Sequence, residues 1–114
     1  MLLPHDTRKL STAGVYDAFD RRGGADGYDE RLAELERALG EIRQPRDLAA
    51  LPPNDLASSP YAETMLALGA FRADVSGAGP TVYGLFLHRQ PAAAAQRELR
   101  ALGRTWVTVP TWYG

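Results

Sequence analysis

The sequence predicts an α+β fold in which a four-stranded antiparallel sheet carries its helices on one face. Three observations lead to this prediction. Short apolar runs of strand type lie near both ends and in the middle of the chain, helical periodicity fills the segments between them, and a glycine-rich turn joins the two middle runs. The resulting order is strand, helices, strand, strand, helix, strand, which is the ferredoxin-like split βαβ order. Right-handed crossovers place the helices together.

Size and composition indicate a single small domain. The chain has 114 residues, a formal net charge of -1 and no cysteine. This charge gives no reason to expect nucleic acid or a membrane surface as a partner, and disulfides and thiolate metal sites are excluded. The two histidines, His5 and His88, are far apart, and no apolar run approaches the ~20 residues that span a bilayer. We expect a soluble cytoplasmic protein.

The first half of the chain predicts one strand and two helices. Residues 1–4 are apolar and end at a proline, as at the end of a strand. Ser11 or Thr12 can cap a helix that continues to Phe19. A glycine-rich segment at 21–27 indicates a loop. Residues 29–42 are the clearest helix, because leucine or isoleucine recurs at helical spacing at 32, 35, 39 and 42.

The second half predicts three strands and two helices. A short helical turn at 46–51 precedes Ser59-Pro60, which starts a helix that Gly69 is placed to end. Residues 71–75 and 82–87 are predicted strands on either side of the glycine-rich turn. A helix follows from Pro91, Gly103 stops it, and residues 106–109 are the predicted final strand.

The turn at 76–81 is the main candidate for function. Its sequence is Ser-Gly-Ala-Gly-Pro-Thr, and two glycines one residue apart permit positive φ angles and close approach of the backbone to another group. Successive N–H groups in such a turn can form a concave site for an anion. The alternative is a tight connection between strands with no ligand, and residue types alone favour that alternative.

Three segments resemble the GHMP kinase superfamily. The sequence at 76–86 resembles its third conserved motif, and 11–16 and 54–56 resemble the Ser-Thr-Ala-x-Val-Tyr and Asn-Asp-Leu segments of its cytidyl-substrate branch, in the same order. The first of these two segments argues against other members, such as mevalonate or homoserine kinases. The resemblance covers nearly the whole chain but only the C-terminal lobe of the family. It implies that 1–114 is a single C-terminal-like domain, with the N-terminal ATP-binding lobe absent.

The resemblance also implies an activity for the intact enzyme. That enzyme uses ATP and Mg²⁺ to phosphorylate the 2-hydroxyl of a cytidyl-methylerythritol in non-mevalonate isoprenoid synthesis. Thr12 and Tyr16 would bind the substrate, with the Tyr16 ring stacked on its cytosine. The phosphate loop would comprise Ser76, Gly77, Ala78, Gly79, Pro80 and Thr81. The family's catalytic lysine and aspartate lie in the other lobe, so we expect no catalytic residue, metal ligand or tightly bound cofactor in this chain alone.

Three positions depart from the family pattern. Ala78 replaces a serine, Asp17 stands where a basic residue is usual, and Asp74 occupies an apolar strand position where a buried carboxylate needs a partner. Two interpretations therefore remain. The chain is part of such a kinase and inactive alone, or it is a stand-alone non-catalytic module that binds a ligand or dimerises. In either case we expect a homodimer or a companion lobe docked near Tyr16 and the loop.

Overall fold

The fold is a four-stranded antiparallel sheet with helices, in a computed structural model that describes residues 1–6 and 11–111. The strands lie in the order β2 (Arg72–Val75), β3 (Val82–Leu85), β1 (Leu2–Pro4) and β4 (Gly103–Thr105), so the strand from the start of the chain is internal. The predicted α+β class and element order are confirmed. The elements are β1 (Leu2–Pro4), α1 (Thr12–Arg21), α2 (Tyr28–Glu41), a 3-10 helix (Pro45–Ala50), α3 (Pro60–Ala67), β2 (Arg72–Val75), β3 (Val82–Leu85), α4 (Arg89–Leu99) and β4 (Gly103–Thr105).

The core lies on one face of the sheet. Val82 pairs with Leu2 on one side and with Val75 on the other, so these three side chains point the same way. All three are buried, and Met65 of α3 and Leu99 of α4 belong to the same cluster. Since both helices contribute to one cluster, α3 and α4 pack on the same face of the sheet, as predicted.

The predicted helix boundaries depend on local capping. Ser11 Oγ accepts a hydrogen bond from Gly14 N (3.1 Å), and Ser59 Oγ accepts one from Tyr61 N (3.3 Å). Each bond satisfies an N–H group that has no partner within the first helical turn. Pro60 occupies the first turn of α3, and the chain leaves that helix through Gly69 at a φ of 103°. The start and stop signals of α3 are therefore confirmed.

Helix α2 exposes its leucine stripe. Leu32 and Leu35 are each 37% exposed and Leu39 is 51% exposed, whereas Ala38 is buried. The predicted helix is confirmed, but none of its residues belongs to the core cluster of the described chain. No helix in residues 1–6 and 11–111 is both long enough and apolar enough to cross a membrane.

The prediction of the last strand at 106–109 was wrong. The strand is Gly103–Thr105, and Gly103 pairs with Pro4. A Cβ atom at Gly103 would lie 2.1 Å from the Leu3 carbonyl oxygen, so this pairing needs a glycine. The glycine taken as a helix stop is part of the sheet, and the apolar residues after it line a groove beside α4.

Candidate functional site around the glycine-rich loop

The glycine-rich loop at 76–81 is a closed turn between β2 and β3. Ser76 N donates to Thr81 O (2.8 Å) and Gly79 N donates to Ser76 O (3.0 Å). Gly77 and Gly79 have φ angles of 58° and 80°, which favour glycine. The N–H groups of Gly77 and Ala78 donate to no acceptor among the described residues. Two backbone donors are therefore available to a ligand.

A cavity of about 410 Å³ adjoins this loop. The loop contributes Ala78, Gly79 and Pro80 to its wall, and α1 contributes Val15 and Ala18. The segment from the end of the 3-10 helix to the start of α3 forms another side. A largely apolar cavity with a few polar groups at its wall is typical of small-molecule sites.

Asp6 and Tyr61 provide one polar pair in the cavity wall. The Tyr61 hydroxyl donates to Asp6 Oδ2 at 2.5 Å. This hydrogen bond to a carboxylate raises the pKa of Tyr61 above its ordinary value, with a smaller contribution from desolvation. Tyr61 thus stays a neutral phenol at neutral pH, and the pair offers hydrogen-bonding atoms to a ligand hydroxyl in the cavity.

Asn54 lies in the segment between the 3-10 helix and α3, and its side chain is hydrogen-bonded to the loop. Its Nδ2 donates to Val75 O (2.9 Å) and to Gly77 O (2.7 Å). Its Oδ1 accepts from Leu56 N (2.8 Å) and Ala57 N (3.3 Å). The side chain therefore joins the loop to the residues that enter the cavity wall.

Asp74 has the partners that a nearly buried carboxylate requires. Its Oδ2 accepts from Asn54 N (2.7 Å) and its Oδ1 accepts from Val75 N (2.7 Å). Arg72 Nη2 lies 3.7 Å from Oδ2, and both side chains are less than 15% exposed. The departure from the apolar pattern at position 74 is therefore compensated in the structure.

The comparison with protein families identifies the chain. Residues 18–105 match the family model described as "GHMP kinases C terminal". The chain belongs to the GHMP kinase family. The resemblance to the GHMP kinases is confirmed, and the antiparallel sheet with its helices is consistent with the C-terminal domain of these kinases.

Curated GHMP relatives are similar to this chain over part of their length. The 4-diphosphocytidyl-2-C-methyl-D-erythritol kinase of Pelobacter propionicus is 42% identical over 108 residues, which cover 87% of this chain and 36% of that protein. The same kinase of Brucella abortus is 29% identical over 115 residues, which cover 97% of this chain and 38% of that protein. The chain thus spans about a third of the length of these relatives. No solved structure shows significant similarity to it.

The structure brings only some of the residues predicted from the GHMP motifs to the cavity. Ala78, Gly79 and Pro80 of the loop line it, and Ser76, Gly77 and Thr81 complete the turn. Tyr16 is 50% exposed and Thr12 lies at the exposed start of α1; neither is among the described residues that line the cavity. Helix α1 contacts the cavity through Val15 and Ala18 instead. Substrate binding by Thr12 and Tyr16 stays a prediction.

Sequence reasoning missed two features of this GHMP site. Tyr61 packs against the core cluster, as helical spacing in α3 predicts, but its hydroxyl also reaches Asp6 at the cavity. The residue type of Asn54 favours local turn bonds, which it makes with Leu56 N and Ala57 N, and this is half of what it does. The signal for the other half is that the Asn-Asp-Leu segment and the loop are both family motifs. No spacing rule shows that they touch.

The described residues do not form a metal site. In residues 1–6 and 11–111, no group of three or more histidine, aspartate or glutamate side chains could hold a metal ion. The described residues thus provide no three-ligand set of their own for the Mg²⁺ that the GHMP family implies. What the chain offers instead is backbone N–H donors beside an apolar cavity.

Proposed function

We propose that this chain forms one wall of the active-site cleft of a 4-diphosphocytidyl-2-C-methyl-D-erythritol kinase in the cytoplasm. That enzyme transfers the γ-phosphate of ATP to the 2-hydroxyl of its cytidyl substrate in non-mevalonate isoprenoid synthesis. The observation that carries the proposal is the pair of unpaired N–H groups, Gly77 and Ala78, in a loop that lines the cavity. The names of the Pelobacter and Brucella relatives support the choice of substrate.

The loop would stabilise the negative charge of phosphoryl oxygens. Phosphoryl transfer depends on positioning the reacting groups and stabilising charge on the phosphoryl oxygens. Backbone N–H groups fixed by a closed turn can donate to such oxygens without rearrangement. The loop residues 76–81 would bind a phosphate or orient the reacting hydroxyl from this side of the cleft. No step through Mg²⁺ is assigned to the described residues.

Tyr16 would bind the cytosine of the substrate. Tyr16 is 50% exposed on α1, so part of its surface is accessible to a base. Stacking of a base on an aromatic side chain contributes about 1–3 kcal/mol. Thr12, one helical turn earlier, would contact the same part of the substrate. These roles come from the matched family motif.

The first experiment tests the site on the chain itself. ¹⁵N-labelled chain is titrated with inorganic pyrophosphate and, separately, with cytidine diphosphate. We expect pyrophosphate to shift the amide signals of Gly77 and Ala78, and cytidine diphosphate to shift those near Tyr16 as well. Shifts confined to other segments would refute the proposed site.

The second experiment tests the activity. The chain replaces the matching third of the Pelobacter propionicus kinase, and phosphorylation of the cytidyl substrate is assayed. We expect turnover by the chimera and none by the 114-residue chain alone. Gly79→Ala should reduce turnover strongly, because its φ is 80° and a Cβ atom would lie 3.2 Å from Val75 Cγ1. Gly69→Ala is the matched control, since its φ of 103° carries similar strain away from the cavity. A folded chimera without turnover would contradict the proposal.

A second candidate is a stand-alone module that self-associates. It is favoured by the leucine stripe of α2, where Leu32, Leu35 and Leu39 remain partly exposed. Apolar surface of this kind commonly marks an interface. Sedimentation equilibrium should then show a dimer that Leu35→Glu converts to monomer. A monomer at high concentration in the unsubstituted chain would exclude this candidate.

A further inference from the structure

Asn54 bonds two carbonyl groups at the start of the glycine-rich loop. Its Nδ2 donates to Val75 O, which belongs to the peptide group between residues 75 and 76. It also donates to Gly77 O, which belongs to the peptide group between residues 77 and 78. One side chain outside the loop therefore holds two of its peptide planes.

Peptide planarity transmits this restraint to the N–H groups. In a trans peptide the C=O and the following N–H are fixed in one plane and point in opposite directions. Holding Val75 O directs Ser76 N–H away from Asn54, where it donates to Thr81 O. Holding Gly77 O directs Ala78 N–H away from Asn54 in the same manner. Ala78 lines the cavity, and its N–H is one of the two unpaired donors.

The Asn54 side chain is held at both of its polar atoms, and its backbone N is bonded as well. Its backbone N donates to Asp74 Oδ2, and its Oδ1 accepts from Leu56 N and Ala57 N. Only one orientation of the amide matches these donors and the two carbonyls. The side chain therefore cannot rotate without losing several hydrogen bonds.

We propose that Asn54 is a positioning residue for the phosphate-binding loop, and that it sets the direction of the Ala78 N–H. This inference rests on the proposed function for the identity of the ligand, but the restraint on the loop can be measured without ligand. A purely local role, in which Asn54 only caps the turn at Leu56 and Ala57, is the competing explanation.

Two substitutions separate the explanations. Asn54→Asp keeps an oxygen that accepts from Leu56 N and Ala57 N but loses both donors to the loop, whereas Asn54→Ala loses both sets. A local role predicts that only Asn54→Ala changes the loop. A positioning role predicts that both substitutions change the loop. The exchange variant Asn54→Asp with Asp55→Asn keeps the net charge, and Asp55→Asn alone controls for the loss of the Asp55 carboxylate, which lies 3.5 Å from Arg31 Nε.

The first readout is amide hydrogen exchange in the ligand-free chain. We expect exchange of Ser76 and Gly79 to become about fivefold faster or more in all three Asn54 variants, as the loss of about one net hydrogen bond implies. Exchange in the paired strands should stay unchanged. Unchanged exchange at Ser76 and Gly79 in Asn54→Asp and in the exchange variant would overturn the proposal. This holds even if Asn54→Ala fails to fold.

The second readout is the affinity for inorganic pyrophosphate, measured by the same amide signals. We expect the Asn54 variants to bind it about fivefold or more weakly than the unsubstituted chain. Failure of the unsubstituted chain to bind pyrophosphate would refute the proposed ligand, and the exchange result alone would then decide whether Asn54 positions the loop. Equal affinity in all variants would overturn the positioning role.

Discussion

The Arg72 guanidinium lies 3.7 Å from the Asp74 carboxylate, with the two side chains 12% and 14% exposed. Arg72 also donates to the carbonyls of Leu48, Leu51 and Pro52, and to the Tyr83 hydroxyl on the neighbouring strand. Arg72 and Asp74 thus join the sheet to the segment that carries Asn54. This ion pair on β2 therefore holds the strand that leads into the loop of the candidate site.

Removing the Asp74 carboxylate should therefore destabilise the protein. Asp74→Ala leaves Arg72 partly buried with one partner fewer and deprives Asn54 N and Val75 N of acceptors. We expect a loss of about 2–4 kcal/mol in the free energy of unfolding, measured by urea denaturation. Asp74→Asn keeps one acceptor oxygen and should lose less. A change below about 0.5 kcal/mol in Asp74→Ala would contradict this account.

Gly103→Ala should prevent normal pairing of β1 with β4. The added Cβ would lie 2.1 Å from the Leu3 carbonyl oxygen, and backbone atoms cannot move aside as a flexible side chain can. We expect a loss of about 3 kcal/mol or more, as for other severe steric changes. Gly40→Ala is the control, because no atom lies within 4 Å of its Cβ position in α2 and alanine favours helix. It should stabilise slightly, by about 0.5 kcal/mol.

The Tyr61–Asp6 hydrogen bond should be visible in the alkaline titration of tyrosine. The bond raises the pKa of Tyr61, so its contribution to stability is fully present below the unfolded value of about 10 and is lost as pH rises through the folded value. The absorbance change at 295 nm that disappears in Tyr61→Phe should therefore occur above pH 10. In Asp6→Asn it should move to lower pH. A titration of Tyr61 at or below pH 10 in the unsubstituted chain would disprove the bond.

Asp47 should titrate below the ordinary range of aspartate. Its carboxylate accepts from the backbone N–H groups of Arg43 (2.8 Å) and Gln44 (2.9 Å), and these bonds lower its pKa. Its contribution is present above the unfolded value of about 3.9 and is lost as pH falls through the folded value. The Arg43 and Gln44 amide signals should follow this titration, and Asp47→Asn should abolish it. A midpoint at or above about 3.9 would show that these two hydrogen bonds do not form.

Local sequence signals predicted where the helices and strands lie better than they predicted which of these elements contact each other. Ser59-Pro60 and Gly69 marked both ends of α3, because capping and chain termination depend on neighbouring residues alone. The last strand was misplaced because Gly103 is needed for the close approach of Leu3, a residue distant in sequence. The leucines of α2 show helical periodicity without burial, since periodicity reports the helix and not what covers it.

The same distinction applies to the candidate site. The loop at 76–81 could be predicted because its glycines permit positive φ and its sequence resembles a GHMP motif. The bonds from Asn54 to Val75 and Gly77 could not, because they depend on where the intervening α3 returns the chain to the sheet. Asp74 was identified as a residue in need of a partner, and Arg72, two residues earlier on the same strand face, supplies it.

The internal position of β1 has a consequence for folding during synthesis. Leu2 pairs with Val82 on one side and with Thr105 on the other, so both neighbours of the first strand come from much later in the chain. Contacts between such distant segments close large loops and slow the folding reaction. The ribosome releases β1 long before β4, and until β4 arrives β1 has an unpaired edge that other chains could bind. Co-translational folding of this domain must therefore wait for nearly the last of these residues.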